Sequence, residues 1–227
     1  MASYARLEIA LILILGAAVS AIVGVCYGMW ALLPALLALA LLLFYRDPPR
    51  RIHTMDDVLL APADGKIMRI DRAFVAPDDP TPQLRVVIFL SVFNVHINRA
   101  PCAGRVLDVQ WNPGKFLNAL KPEATTENEN VLIKIDPQAP LPGPVWVRPI
   151  AGVLAKRIVC TLSPDDRIVA GERFGMIKLG SQTEIRVPEG EGWRLEIRPG
   201  DAVKAGLTVL ARFQPTCSAK PGTTDKI

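Results

Sequence analysis

Hydrophobic positions are spread along this chain in two different ways. Residues 9–45 contain no Asp, Glu, Lys or Arg and consist largely of Leu, Ala, Ile and Val, so the stretch has no polar face. As a single helix it would be about 55 Å long at about 1.5 Å per residue, against a hydrocarbon core of about 30 Å. Two arms fit better than one. Gly24, Gly28 and Pro34 are the weak points, and the pattern predicts helices over 7–23 and 29–45 with a reversal near 24–28. Beyond residue 51 the apolar positions come in short runs broken by Pro, Gly and Asp: 58–61, 65–70, 84–92, 104–110, 131–135, 145–150, 153–162, 173–179, 183–187, 193–197 and 208–213. These predict a mainly β domain. Only 115–119 hints at a short helix, while 122–130 is polar and reads as a mobile loop, a candidate lid.

One internal echo narrows the architecture. Residues 166–171 (D-R-I-V-A-G) and 201–206 (D-A-V-K-A-G) share a D-x-[IV]-x-A-G pattern, each followed by a strand-like run. Paired turns of this kind are characteristic of small β barrels or sandwiches resembling the lipoyl and biotinyl carrier fold. The predicted layout is a membrane anchor with a basic exit segment over 1–51, a β domain over 52–213 and a disordered tail over 214–227.

Charge changes the picture at the membrane. Arg6 precedes the apolar run and Arg46, Arg50 and Arg51 follow it, so the positive-inside bias puts both ends of the hairpin, and the β domain, on the cytoplasmic side of the cell membrane. The arginines of R-D-P-P-R-R are expected in the headgroup layer. A cleaved signal peptide would have a shorter apolar region and a stronger basic start. The net charge of +4 suits an anionic lipid surface, and no aromatic and basic interleaving points to nucleic acid. Cys26, Cys102, Cys160 and Cys217 show no C-x-x-C pair, and with only His53 and His96 beside them no metal site is expected.

The segment R-F-G-M-I-K-L-G-S-Q-T-E-I-R-V-P (173–188) resembles the processing site of the phosphatidylserine decarboxylases. The resemblance extends to F-Y-R-D-P (44–48), L-A-P-A-D-G (60–65), F-N-V-H-I-N-R-A-P (93–101), P-G-K-F-L-N-A (113–119) and I-A-G-V-L-A-K-R-I-V-C (150–160), in the order of that family's compact branch. It implies that the precursor cuts itself between Gly180 and Ser181 into chains 1–180 and 181–227, and that Ser181 becomes a pyruvoyl group. The chemistry is physically sound at a Gly-Ser bond. A β-hydroxyl held against its own peptide carbonyl can attack it, and glycine on the acyl side removes the Cβ that would obstruct the approach. The resulting ester eliminates to dehydroalanine, which tautomerises to an imine and loses ammonia to water, leaving a ketone. That ketone forms a Schiff base with a primary amine, and the neighbouring carbonyl takes up the electrons released with carbon dioxide, with no metal and no pyridoxal phosphate. The implied substrate is phosphatidylserine and the product phosphatidylethanolamine.

The resemblance also assigns candidate roles. Asp64 matches the family's aspartate that supports self-cleavage. Longer members carry two histidines in the next block, one for self-cleavage and one for decarboxylation; anchored on Pro101, His96 takes the place of the first, the decarboxylation histidine, and Arg99 that of the second, so either His96 serves both steps or self-cleavage proceeds with Asp64 and a poorer base. Arg99 reads equally as a surface cation or as a clamp for lipid phosphate or carboxylate. Lys115, Asn118 and Asn128 could touch the headgroup or belong to a solvated loop. Two rivals remain: a membrane-tethered carrier or adaptor in which Lys178 receives biotin or lipoate, and a serine hydrolase, which Ser181 fits poorly for want of a G-x-S-x-G elbow. The two cleavage chains are expected to stay together, and a homo-oligomer is compatible with the sequence.

Overall fold

The computed structural model describes residues 3–52, 55–73, 82–119, 121, 123–153, 158–178, 181–190 and 192–215. The apolar run forms α1 (Arg6–Tyr27), a 3-10 turn over Gly28–Ala31 and α2 (Leu32–Phe44). The chain turns at Gly28, whose φ of 60° lies in the left-handed region that glycine enters freely. Gly24 and Gly16 serve a different purpose. A Cβ on Gly16 would lie 2.6 Å from Cβ of Ala38, and one on Gly24 would lie 3.3 Å from Cβ of Ala31, so these small residues let the two arms close on each other. The first arm is therefore longer, and the second shorter, than the expected 7–23 and 29–45. No residue of α1 is buried and only Phe44 of α2 is, which leaves an apolar surface all round, as in a membrane-associated segment.

The remainder is mainly β. Its strands are β1 (Val58–Leu60), β2 (Gly65–Ala73), β3 (Gln83–Leu90), β4 (Ile97–Arg99), β5 (Gly104–Asn112), β6 (Asn130–Pro137), β7 (Val145–Ile150), β8 (Ile158–Cys160), β9 (Arg167–Ile168), β10 (Arg173–Ile177), β11 (Ser181–Pro188), β12 (Trp193–Leu195), β13 (Ala202–Val203) and β14 (Val209–Phe213), with one turn of helix, α3 (Ala124–Glu127). A curled eight-stranded sheet runs β13-β2-β3-β11-β7-β6-β5-β9, flanked by the three-stranded sheets β1-β14-β12 and β4-β10-β8. Leu59, Ile67, Ile88, Val106, Ile133, Val147, Phe174, Ile185 and Leu210 form one buried core that joins all three sheets. A half-barrel of this kind agrees with the carrier-like fold expected from the paired turns.

Those turns dock onto a second repeat. A-P-A-D-G-K-I-M-R (61–69) and A-P-C-A-G-R-V-L-D (100–108) occupy matching places. In the first, Val203 pairs with Gly65, Gly206 N donates to Ala61 O at 2.8 Å, and a bulge separates Ile67 from Arg69. In the second, Ile168 pairs with Gly104, Gly171 N donates to Ala100 O at 2.8 Å, and a bulge separates Val106 from Asp108. Gly171 and Gly206, at φ 76° and 71°, meet over the side chain of Ile52.

Two local expectations fail for one reason. Residues 115–119 form no helix: Lys115 is bridged to Asn128, and the Asn128 amide donates to Leu117 O at 2.9 Å while its carbonyl accepts from Leu117 N at 2.8 Å. The single helical turn falls instead at Ala124–Glu127, inside the supposed mobile loop, where Ala124 and Thr125 are buried. The tail from 216 onward lies outside the described residues.

Gly171 generates a direct test. Its φ of 76° is unfavourable for alanine, and a Cβ there would sit 2.7 Å from the side chain of Ile52. Gly171→Ala is expected to cost about 1–3 kcal/mol in denaturant unfolding, while Gly190→Ala, with nothing within 4 Å of its Cβ position, leaves the midpoint near wild type.

Candidate active site

Ser181 opens β11, the strand that lies between β3 and β7 in the large sheet. Alternation sends Ser181, Thr183, Ile185 and Val187 to one face and Gln182, Glu184 and Arg186 to the other. Ile185 and Val187 belong to the core, so Ser181 is turned toward it, fully buried, with no hydrogen-bond partner at Oγ. Opposite Ser181 is Leu90, the last residue of β3. The chain then turns through 91–95 to His96, whose carbonyl accepts from Ile177 N at 3.1 Å. The segments on either side of the candidate processing bond thus run beside the segment that carries the histidine. Asn98, two residues on, donates to Thr183 Oγ1 at 3.1 Å and fastens β4 to β11. Gly180 lies outside the described residues.

His96 is fully buried, and its surroundings define its state. Its Nδ1 lies 3.0 Å from the carbonyl of Asn94, an acceptor only, so Nδ1 carries the proton and Nε2 is left as a bare acceptor without a partner. Asn94 is held in turn, its side-chain carbonyl accepting from Ser91 N and Ser91 Oγ, each at 2.8 Å. The ring of Phe44, at the end of the hairpin, packs on His96 with centroids 4.3 Å apart. Burial pushes the His96 pKa down from 6.5 to about 4; the Asn94 bond opposes this, Arg46 adds to it, and the Asp64 charge opposes it. The imidazole is neutral at pH 7. Ser181 Oγ and His96 Nε2 are both buried and unpartnered, and each calls for an explanation other than stability.

Asp64 is differently placed. Its carboxylate takes both arms of Arg50, at 2.6 and 2.8 Å, and the backbone N of Ala205 at 2.8 Å, while Arg50 also donates to Ala205 O at 2.6 Å. The Arg50 side chain is only 6% exposed, so this arginine leaves the headgroup layer expected for it and becomes part of the domain. Arg99 is also buried, donating to Gly171 O at 2.9 Å and paired with Asp47 at 3.5 Å; burial and the neighbouring Arg173 and Arg50 lower its pKa. That use is structural, tying the exit segment to the second turn. Lys115 is exposed and paired with Glu127 at 2.8 Å, Asn118 is exposed, and Asn128 is buried as a loop staple. Lys178 forms an ion pair with Glu8 of α1 and is mostly buried, unlike a carrier lysine that must stand in solvent. Among the described residues no group of three or more His, Cys, Asp or Glu could hold a metal.

The other face of β11 carries residues that sequence reading passed over. Glu184 is fully buried, 2.9 Å from Arg148, in contact with Arg186 and 3.9 Å from Arg85, and Arg85 is bound by Asp71 at 2.6 Å. Gln182 accepts from Thr125 Oγ1 at 2.9 Å and donates to Ala119 O. Strand β11 is thus gripped on both faces and along both edges.

A mainly β domain on an apolar hairpin, with a buried, unpartnered serine at a strand start and a buried, neutral histidine with a bare ring nitrogen, has the make-up of a membrane-associated enzyme. Residues 37–211 match the family model for phosphatidylserine decarboxylase. The chain is 43% identical over 208 residues to a phosphatidylserine decarboxylase proenzyme of Rhodopirellula baltica, covering 89% of this chain and 85% of that protein. It is 41% identical to the proenzymes of Nitrosomonas eutropha, over 82% of this chain and 83% of that protein, and Chlorobium chlorochromatii, over 76% and 78%. The chain belongs to the phosphatidylserine decarboxylase family, whose members are carboxy-lyases.

The Arg50 contact can be checked by stability. Arg50→Met leaves the buried Asp64 carboxylate without its counter-charge and is expected to cost about 3–5 kcal/mol in urea unfolding of the full chain in detergent. A loss below 1 kcal/mol, the value of an exposed pair, would show that the contact contributes little.

Proposed function

We propose that this chain is made as a precursor, cleaves itself between Gly180 and Ser181 into chains 1–180 and 181–227, and decarboxylates phosphatidylserine to phosphatidylethanolamine through a pyruvoyl group derived from Ser181. The observation that carries the reading is the pair of buried, unpartnered atoms, Ser181 Oγ and His96 Nε2. The residues fit the group: the Ser181 hydroxyl has no competing bond, and its burial keeps it from bulk water, which favours a reactive carbonyl there. Once formed, the pyruvoyl group supplies a ketone that captures the substrate amine and takes up the electrons released with carbon dioxide.

The chain's own residues do the rest. His96, neutral and with Nε2 bare, is suited to move a proton at the reacting centre, and Asn94 fixes its tautomer. Asp64, held by Arg50 and Ala205 N, acts through its charge and by holding the turn beneath the histidine rather than by direct proton transfer. Thr183 and Asn98 keep the start of β11 registered against β4. The basic flanks of the apolar run support a cytoplasmic domain bound to anionic membrane, and the grip on β11 supports continued association of the two chains.

Ser181→Ala removes the hydroxyl, so intact mass should show only uncut precursor and activity should be absent. His96→Ala is expected to retain cleavage in part and to lose about 10²–10⁴ in decarboxylation rate; a variant that cleaves and decarboxylates normally would remove His96 from the mechanism. The sign of the pH effect follows from the lowered pKa. Between pH 6.5 and about 4 the unfolded chain binds a proton at His96 that the folded chain does not, so stability should fall as pH drops through this window. His96→Gln should lessen that slope in denaturation measured at pH 7 and pH 5.

A further inference from the structure

The hairpin does not simply stand on the β domain. Between its foot and the sheet lies a cavity of about 940 Å³, lined by Tyr4, Arg6, Glu8, Trp111, Glu129 and Lys178 and floored by β8. We propose that this cavity receives the phosphodiester of the substrate lipid, with Lys178 and Arg6 as its cationic partners. The proposal rests on the decarboxylase reading and deepens it.

Three observations carry it. The first is position. Both ends of the hairpin meet the β domain, so the first turn of α1 lies where the membrane surface meets the protein, and a cavity walled by that turn opens at headgroup depth. The second is distance along the chain: Lys178 follows the last residue of β10 and stands three residues before Ser181. In a serine phospholipid the phosphorus is four bonds from the amine, so an amine held at residue 181 leaves its phosphate close to the end of β10. The third is charge. The Lys178 side chain is only 14% exposed, and its ion-pair partner is Glu8, a side chain of α1 rather than of the sheet. Arg6 is exposed on the cavity wall and has no ion pair among the described residues. With the amine held at residue 181, the anion that reaches the cavity is the phosphodiester, and Lys178 and Arg6 are the cations that wall it beside Glu8 and Glu129. Phosphate displaces Glu8 from Lys178, exchanging one charge-assisted contact for another.

The test uses the full chain in detergent micelles, with phosphatidylmethanol, a phosphodiester lipid without the serine, as a competitive inhibitor and diacylglycerol as the uncharged control. Cleavage and decarboxylation by the wild type, read by intact mass and carbon dioxide release, judge the decarboxylase reading separately. Phosphatidylmethanol should inhibit the wild type, and Lys178→Gln and Arg6→Gln should each raise its inhibition constant about tenfold, with diacylglycerol unchanged. Glu8→Gln, which removes the competing carboxylate, should lower that constant. Should Lys178→Gln fail to cleave, exposed Arg6 and half-buried Glu8 carry the test. Equal inhibition of wild type and variants, or none of the wild type, would overturn the proposal.

Discussion

The contact between Arg50 and Asp64 is the constraint on which the rest of the architecture depends. Arg50 leaves the membrane arm by a chain stiffened with Pro48 and Pro49, and its guanidinium ends buried between the carboxylate of Asp64 and the carbonyl of Ala205. One planar cation thereby joins the exit segment, the A-P-A-D-G turn and the D-x-V-x-A-G turn. A lysine could not make both bonds to the carboxylate in the same plane. Asp47, taken by Arg99 and by Arg173 at 2.9 Å, repeats the device a few residues earlier. With the exit segment pinned twice, Phe44 has little choice but to lie on His96, and the membrane arm becomes a wall of the active site.

A second constraint acts on the strand that Ser181 begins. Strand β11 pairs along its length with β3 and over Gln182 to Arg186 with β7. One of its faces enters the core and the other is locked by arginines around Glu184. A chain break just before such a strand severs the backbone without releasing the segment. Under the proposed cleavage the same rigidity keeps the new first residue where the precursor held its serine.

Much of the site could be read in the sequence, and what could not has a common cause. Ser181 and His96 stand in ordered motifs, and the hairpin followed from length alone. The bulk of the strands followed from short apolar runs, but β4, β9 and β13 span only two or three residues and carry no period to detect. Gln182, Glu184 and Arg186 alternate with apolar residues, which ordinarily marks a solvent face; Glu184 is buried because Arg85 of β3, Arg148 of β7 and Arg186 itself surround its charge, and Gln182 because Thr125 and Ala119 take its amide. Arg50 was legible as a basic residue at a membrane exit and not as the partner of Asp64, since the pair is formed only when the turn at 205 closes over both. Lys178 lay in the best motif of the chain, yet its partner, Glu8, comes from the opposite end. Local pattern finds elements; contacts between distant segments decide what those elements do.

The matched turns at 61–69 and 100–108 have a consequence of a historical kind. Each half has the same glycine, the same bulge and the same docking partner, as a duplicated and fused unit would leave behind. The halves have since diverged at one telling place: Asp64 stands in the first, and Ala103 in the corresponding position of the second. In the first half Asp64 takes Arg50 and the backbone of Ala205, and in the second Arg99 turns inward to Gly171, so one repeated backbone carries a buried ion pair at one turn and a buried cation on a carbonyl at the other.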